Sequence, residues 1–113
     1  MKESFIYDFK ITYFKKLLLA GYNNSAAVNS LIKSDHSGFA EIILSPGDYH
    51  LLDSIVHRDN VLMVKDSIDG YNRAEGAQGK RILKYALDKY QSSWLDSLAK
   101  DRAKIFMRNA RAD

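Results

Sequence analysis

Three histidines, His36, His50 and His57, offer the most versatile chemistry in this sequence. Imidazole binds metals and transfers protons near neutral pH, but a zinc site needs three or four protein ligands that converge on one ion. His50 and His57 are seven residues apart and can share one side of a helix, yet no further ligand follows at a suitable spacing. We therefore predict no metal ligand and interpret the histidines as surface or packing residues.

The sequence also lacks the residue patterns that are typical of nucleophilic catalysis. The sequence has no cysteine, which excludes disulfides, thiolate-bound zinc, iron–sulfur clusters and a cysteine nucleophile. Serine, histidine and aspartate are all present, but no serine stands in a glycine-lined turn of the kind that exposes such a nucleophile. We predict no catalytic residue, no cofactor and no enzymatic activity.

The segment Gly76-Ala77-Gln78-Gly79-Lys80-Arg81 superficially resembles a phosphate-binding loop. Its glycines are too close together, and Arg81 occupies the position where a magnesium-binding Ser or Thr is required. A Gly-x-x-Gly backbone clamp of the KH type would need more strand than the sequence offers. We predict a flexible hinge followed by the start of a helix.

Basic side chains concentrate in the last third of the chain. Residues 80–113 carry nine Lys or Arg against four Asp or Glu, whereas residues 1–79 carry eight against ten. Such asymmetry favours a polyanionic partner, and nucleic acid is the obvious one. An equally weighted alternative is a solvated helix face. The candidate phosphate contacts are Lys80, Arg81, Lys84 and Lys89, followed by Lys100, Arg102, Lys104, Arg108 and Arg111.

Two long amphipathic patterns predict helices at the ends of the chain. The first runs from about Phe5 to Leu31, where apolar residues recur every three or four positions, and we expect it to continue through Gly21, Asn23 and Asn24. Its apolar stripe is too wide for a single neighbour and predicts that a second molecule covers part of it. The second pattern predicts one helix from about Lys80 to Met107, with its apolar face at Ile82, Ala86, Tyr90, Trp94 and Leu98.

The middle of the chain contains one strong helix start. In Ser45-Pro46-Gly47-Asp48, serine suits the N-cap, proline the first helical position and aspartate the third. We expect a short helix that ends at Arg58-Asp59-Asn60, then a brief extended segment at Val61 to Val64. The expected architecture is all-α: a helical dimerisation core over residues 1–65, a connector over 66–79 and a basic helical arm over 80–113.

At 113 residues the chain is long enough for one domain. The first residues lack the apolar core of a secretion signal, and no apolar run approaches the ~18 residues of a membrane helix. We therefore predict a cytoplasmic protein with no membrane association.

The order of features in residues 5–65 resembles the FlhD family of bacterial transcription regulators. The matching features, in chain order, are Ile6-Tyr7-Asp8, Tyr13, Leu17-Leu18-Leu19, Ala26-Ala27, the Phe39 to Leu44 segment, Pro46, Leu51-Leu52, Asn60 and the Val61 to Val64 run. The resemblance implies an all-helical homodimer with no metal of its own. It also implies a zinc-binding FlhC-like partner, with which the chain binds promoter DNA and recruits RNA polymerase.

The resemblance further implies which residues form or border the dimer contact: Ile6, Phe9, Tyr13, Leu17, Val61, Leu62, Met63 and Val64. Flagellar members carry a cysteine in the extended segment, whereas this chain has Val-Leu-Met-Val, so its dimer would be noncovalent. The more basic C-terminal arm resembles the AcaD and SetD activators of conjugative transfer genes. Two alternatives stay open: a stand-alone DNA-binding protein, and a small protein-binding adaptor or inhibitor from a mobile element.

Overall fold

The computed structural model describes residues 2–37, 43–69 and 80–112, and this part of the chain contains five α-helices and no strand. In chain order the helices are α1 (Lys2–Gly21), α2 (Ala26–Ser34), α3 (Pro46–Asp69), α4 (Ile82–Tyr90) and α5 (Ser93–Ala112). The all-α prediction is confirmed. None of these five helices combines the length and the hydropathy needed to cross a membrane.

Helix α1 lies at the centre of the structure and contacts each of the other four helices. A row of apolar side chains at every fourth position runs along it and is fully buried: Phe5, Phe9, Tyr13 and Leu17. The Phe5 ring stacks on Phe106 of α5, with 5.0 Å between ring centroids. This row of the α1 stripe is therefore covered by helices of the same chain, whereas Phe14 and Leu18 beside it are only partly buried.

The predicted continuation of α1 through residue 31 is wrong. Asn23 and Asn24 have φ values of 56° and 55°, in the left-handed region that asparagine tolerates better than most residues. Ser25 then acts as the N-cap of α2, because its Oγ accepts a hydrogen bond from the Val28 amide at 3.2 Å. The chain thus leaves one helix and starts a second.

Helix α3 begins as the sequence predicts. The Ser45 Oγ accepts a hydrogen bond from the Asp48 amide at 3.1 Å, and the Ser45 amide donates to Asp48 Oδ2 at 2.9 Å. This reciprocal pair is a capping box with aspartate in the usual place of glutamate. It satisfies two backbone donors that the first turn of the helix leaves without an intrahelical partner.

Helix α3 continues past its predicted end, to Asp69, so the extended segment expected at Val61 to Val64 is wrong. Asp59, at the predicted end, lies inside the helix with its side chain buried in the core. Met63, one helical turn later, is buried as well, so the inward face of α3 passes without interruption through the predicted boundary. Packing against neighbouring helices outweighs the weak preference of valine for strands.

The predicted single C-terminal helix is two helices, α4 and α5, and that expectation is also wrong. Ser92 ends the first and starts the second: its hydroxyl donates to the Lys89 carbonyl at 2.6 Å and accepts from the Leu95 amide at 3.1 Å. After Ser92, the sequence predicts that Trp94 and Leu98 lie on the buried face. The fully buried residues of α5 are instead Leu95, Ala99 and Ala103.

The predicted connector falls partly within α3, which contains residues 66–69. Residues 70–79 lie outside the described residues, and so do residues 39–42 of the apolar segment before α3. Of that segment, Leu44 is buried against the core and Ile43 is partly buried.

Candidate functional site

A polar cluster lies inside the helical core and joins three helices. Asp59 of α3 is fully buried, and its carboxylate accepts hydrogen bonds from the hydroxyls of Tyr13 on α1 and Tyr85 on α4, the latter at 3.0 Å. Burial, together with the hydrogen bond to Asp59, raises the pKa of Tyr13 above its ordinary value. Burial and the Asp59 charge raise the pKa of Tyr85 to about 12. Both hydroxyls therefore stay protonated donors at neutral pH.

The candidate dimer residues on α1 lie mostly inside the single chain. Phe9, Tyr13 and Leu17 are fully buried against the other helices, and Ile6 is partly buried. Their apolar character is accounted for by the fold of one chain. A contact with a second molecule at this helix would have to use surrounding residues.

The candidate dimer residues on α3 are placed differently, because most of them face outwards. Met63 is buried, whereas Val61, Leu62 and Val64 are 56%, 47% and 40% exposed. Ile68, which sequence reasoning did not select, is 61% exposed. Spacings of three and four residues place Val61, Val64 and Ile68 on one face of the helix, and we refer to these three residues as the α3 ridge.

Lys80, a predicted nucleic-acid contact, binds the end of α1 instead of standing free. Its ammonium donates to the Gly21 carbonyl and to Asn60 Oδ1, each at 3.1 Å, and to Asn23 Oδ1 at 3.4 Å. A lysine at the C-terminal end of a helix stabilises the last carbonyls, which have no intrahelical partner. The main contacts of Lys80 are thus within the fold.

The other predicted contacts also have partners in the chain. Arg81 lies 3.5 Å from an Asp66 carboxylate oxygen, and Lys84 lies 2.8 Å from Asp88 Oδ2. The hydrogen bond to Asp88 raises the pKa of Lys84. These two basic residues lie at the start of α4, and each remains charged beside a carboxylate that offsets its positive potential.

Lys89 contacts aromatic rings. Its ammonium lies 5.6 Å from the centroid of the Tyr85 ring and 5.2 Å from that of Trp94. The guanidinium of Arg58 lies 5.1 Å from the same Trp94 ring. Trp94, which the sequence places in an apolar stripe, is 41% exposed and has cations as neighbours.

A second group of cations lies at the opposite end of α1. Lys2 of α1 and Lys104 and Arg108 of α5 surround an open depression that also contains Met107. All three basic side chains are exposed, and in the described part of the chain none of them forms an ion pair. We call Lys2, Lys104 and Arg108 the basic cluster. The excess of basic residues in the C-terminal third predicted Lys104 and Arg108 as phosphate contacts. It did not predict Lys2, because no sequence feature near residue 2 indicates that its side chain lies beside α5.

Metal-ligating groups do not converge in residues 2–37, 43–69 and 80–112, where no three His, Cys, Asp or Glu side chains form a group that could hold an ion. His36, His50 and His57 are all exposed. Comparison of the chain with protein-family models, with curated proteins and with solved structures finds no match.

Proposed function

We propose that the chain is a non-catalytic subunit of a transcription-activator complex of the FlhD type, acting on conjugative transfer genes as AcaD and SetD do. In this proposal it dimerises through the α3 ridge, joins a zinc-binding FlhC-like subunit on promoter DNA and recruits RNA polymerase. The observation that carries the proposal is the α3 ridge itself. The order of sequence features in residues 5–65 supports the choice of family.

The ridge places three apolar side chains on the solvent side of one helix. Val61, Val64 and Ile68 are branched apolar residues on the outward face of a helix whose inward face is already buried. Removing each such side chain from water is worth up to about 1.5–3 kcal/mol. Contiguous apolar surface of this kind is typical of a protein-binding site rather than of a solvated face.

A second copy of the same chain is the occupant we propose for the ridge. A twofold interface brings each patch against itself, so any charge in the patch would face an identical charge. The α3 ridge has no charged member. Lys65, four residues after Val61 and three before Ile68, lies at the edge of the same face and is exposed. A long lysine side chain there can keep its ammonium hydrated at the rim of an interface.

Sedimentation velocity across a concentration series tests this contact. The double variant Val61→Lys/Ile68→Lys places cations on the ridge and should shift the protein from dimer to monomer. The matched control is Leu31→Lys/Leu83→Lys, which makes the same change at two leucines that are 68% and 62% exposed on α2 and α4. It should leave the dimer intact. A wild-type protein that stays monomeric throughout would contradict the proposed dimer.

Co-expression with a zinc-binding FlhC-like protein encoded beside this chain tests the larger complex. We expect the two proteins to co-purify and the complex to shift promoter DNA in a gel. The ridge variant should reduce complex formation if the dimer is the unit that assembles. Failure of the two wild-type proteins to co-purify would contradict the FlhD-type function.

A further inference from the structure

We infer that Lys2, Lys104 and Arg108 form a binding site for the phosphate backbone of duplex DNA. This inference rests on the proposed function and deepens it, because it locates a DNA contact on this subunit. The contact lies at the junction of the start of α1 with the last turns of α5, away from the α4 residues that charge counting selects.

The first argument compares the partners of the basic residues. Lys80 donates to a helix-end carbonyl, and Arg81 and Lys84 lie beside Asp66 and Asp88. On α5, Lys100 pairs with Asp96 at 2.8 Å and Arg102 with Asp48 at 2.6 Å. A carboxylate beside a cation repels an incoming phosphate and weakens its binding. The three members of the basic cluster have no such pair in the described part of the chain, so their charge is available to a ligand.

The second argument is the electrostatic cost of the cluster in the free protein. Lys104 and Arg108 are four residues apart on α5, which makes them neighbours on one helix face and mutually repulsive. Lys2 stands in the first turn of α1, where the helix dipole disfavours a positive charge. Glu3 is the acidic residue of that turn, and it forms no ion pair with them among the described residues. A bound anion would relieve this repulsion.

The third argument concerns shape and donor chemistry. The depression between these side chains has a volume of about 380 Å³, and the partly buried Met107 also lines it. Arginine binds phosphate oxygens through two parallel N–H groups, and lysine adds a flexible point charge. None of the three cationic groups selects a base, so the expected contact fixes the position of the protein on DNA without reading sequence.

Fluorescence anisotropy with a short labelled duplex of arbitrary sequence tests the site. We compare Lys2→Gln/Lys104→Gln/Arg108→Gln with a control that removes the same charge at lysines outside the basic cluster, the α3 ridge and the candidate phosphate contacts, Lys15→Gln/Lys16→Gln/Lys33→Gln. The cluster variant should bind at least about tenfold more weakly near 50 mM salt, and its salt slope should fall by about 0.9 for each phosphate that it no longer neutralises. The control should change affinity far less. Circular dichroism should show equal helicity for both variants and the wild type, and the cluster variant should be at least as stable as the wild type in thermal denaturation because it loses the repulsion among the three cations.

Three results would overturn the inference. The first is equal weakening by the two triple variants, which would show that net charge alone matters. The second is no binding of duplex DNA by the wild type, either alone or with its FlhC-like partner. The third is tighter cluster-dependent binding of single-stranded RNA or polyglutamate than of duplex DNA, which would assign the site to another polyanion.

The outcomes separate this inference from the proposed function. If the wild type dimerises and co-purifies with the FlhC-like protein while the cluster variant binds DNA normally, the phosphate site is wrong and the function stands. If co-purification fails but the cluster variant still loses DNA binding, the function is wrong and the phosphate site stands.

Discussion

Arg102 of α5 donates a 2.6 Å hydrogen bond from Nε to Asp48 Oδ1 in the first turn of α3. The other carboxylate oxygen of Asp48 accepts from the amide and the hydroxyl of Ser45, at 2.9 and 3.0 Å. Asp48 is almost fully buried. A single carboxylate therefore caps α3 and joins it to α5, and this Asp48–Arg102 contact helps to position the two α5 members of the basic cluster, Lys104 and Arg108.

Replacing Arg102 with methionine tests how much the Asp48–Arg102 contact stabilises the fold. The variant Arg102→Met keeps most of the side-chain volume but leaves a buried carboxylate oxygen without its charged donor, which should cost about 1–3 kcal/mol of unfolding free energy. Urea denaturation measures the change. The control is Lys100→Met, which removes an exposed ion pair with Asp96 and should cost less than about 1 kcal/mol. Equal destabilisation by the two variants would contradict the expected contribution of the Asp48–Arg102 contact to stability.

Gly21, at the end of α1, lies directly against Ile82 at the start of α4. A Cβ atom at Gly21 would stand 2.8 Å from Ile82 Cγ2 and 3.1 Å from its Cγ1. Alanine gains about 1 kcal/mol of helix propensity, but overpacking of a tight contact costs about 1–3 kcal/mol. We therefore expect Gly21→Ala to be destabilising in thermal denaturation.

Two comparisons make the Gly21 prediction specific. Gly47→Ala should be neutral or stabilising, since the nearest atom to its new Cβ is 3.5 Å away, at ordinary contact distance. The double variant Gly21→Ala/Ile82→Ala should be more stable than the sum of its single changes predicts, because the second substitution removes the atoms that clash. Simple additivity would show that close packing is not the cause.

Local signals predicted part of this fold well. The start of α3 follows from Ser45, Pro46 and Asp48 alone, because capping depends on residues within one turn. The buried row on α1 follows from its spacing. Which molecule covers that row depends on contacts with distant helices, and the sequence pattern suggested a second protein where the structure has α3, α4 and α5.

The errors arose where a local pattern was compatible with two structures. Apolar residues after Ser25 resume in register with α1, but α2 has no buried residue, so the periodicity there did not reflect a core face. Val61 to Val64 resembled a strand, but Asp59 and Met63 are buried on the inward face of a helix that continues through this segment. For the candidate sites, charge selected Lys80, yet its partners Gly21 and Asn60 are distant in sequence.

Removing one hydroxyl from the buried polar cluster should be costly. Tyr13→Phe takes a hydrogen-bond donor from the fully buried Asp59 carboxylate and leaves one of its oxygens without that partner. The expected loss is about 1–3 kcal/mol of unfolding free energy, measured by urea denaturation at neutral pH. Tyr22→Phe, at an exposed tyrosine, is the control and should change stability by less than about 0.5 kcal/mol. A Tyr13→Phe protein as stable as this control would contradict the proposed cost.

The same cluster should make the protein sensitive to alkaline pH. The folded protein keeps the Tyr85 proton until pH about 12, whereas an unperturbed tyrosine loses it near pH 10.0. Between these values the folded state binds more protons than the unfolded chain, so the free energy of unfolding falls as pH rises. The contribution of Tyr85 is complete below pH 10 and is lost by about pH 12. Its slope is at most about 1.4 kcal/mol per pH unit and smaller for a partly exposed group.

Urea denaturation at intervals from pH 8 to about pH 12 measures this effect. Tyr85→Phe should be less stable than the wild type at pH 8, because Asp59 loses a donor, and its stability should decline less steeply above pH 10. Tyr22→Phe should follow the wild-type curve, which controls for the loss of a tyrosine hydroxyl, and the lysines that also titrate in this range are the same in all three proteins. Parallel curves for Tyr85→Phe and the wild type would show that the Tyr85 proton is not linked to folding.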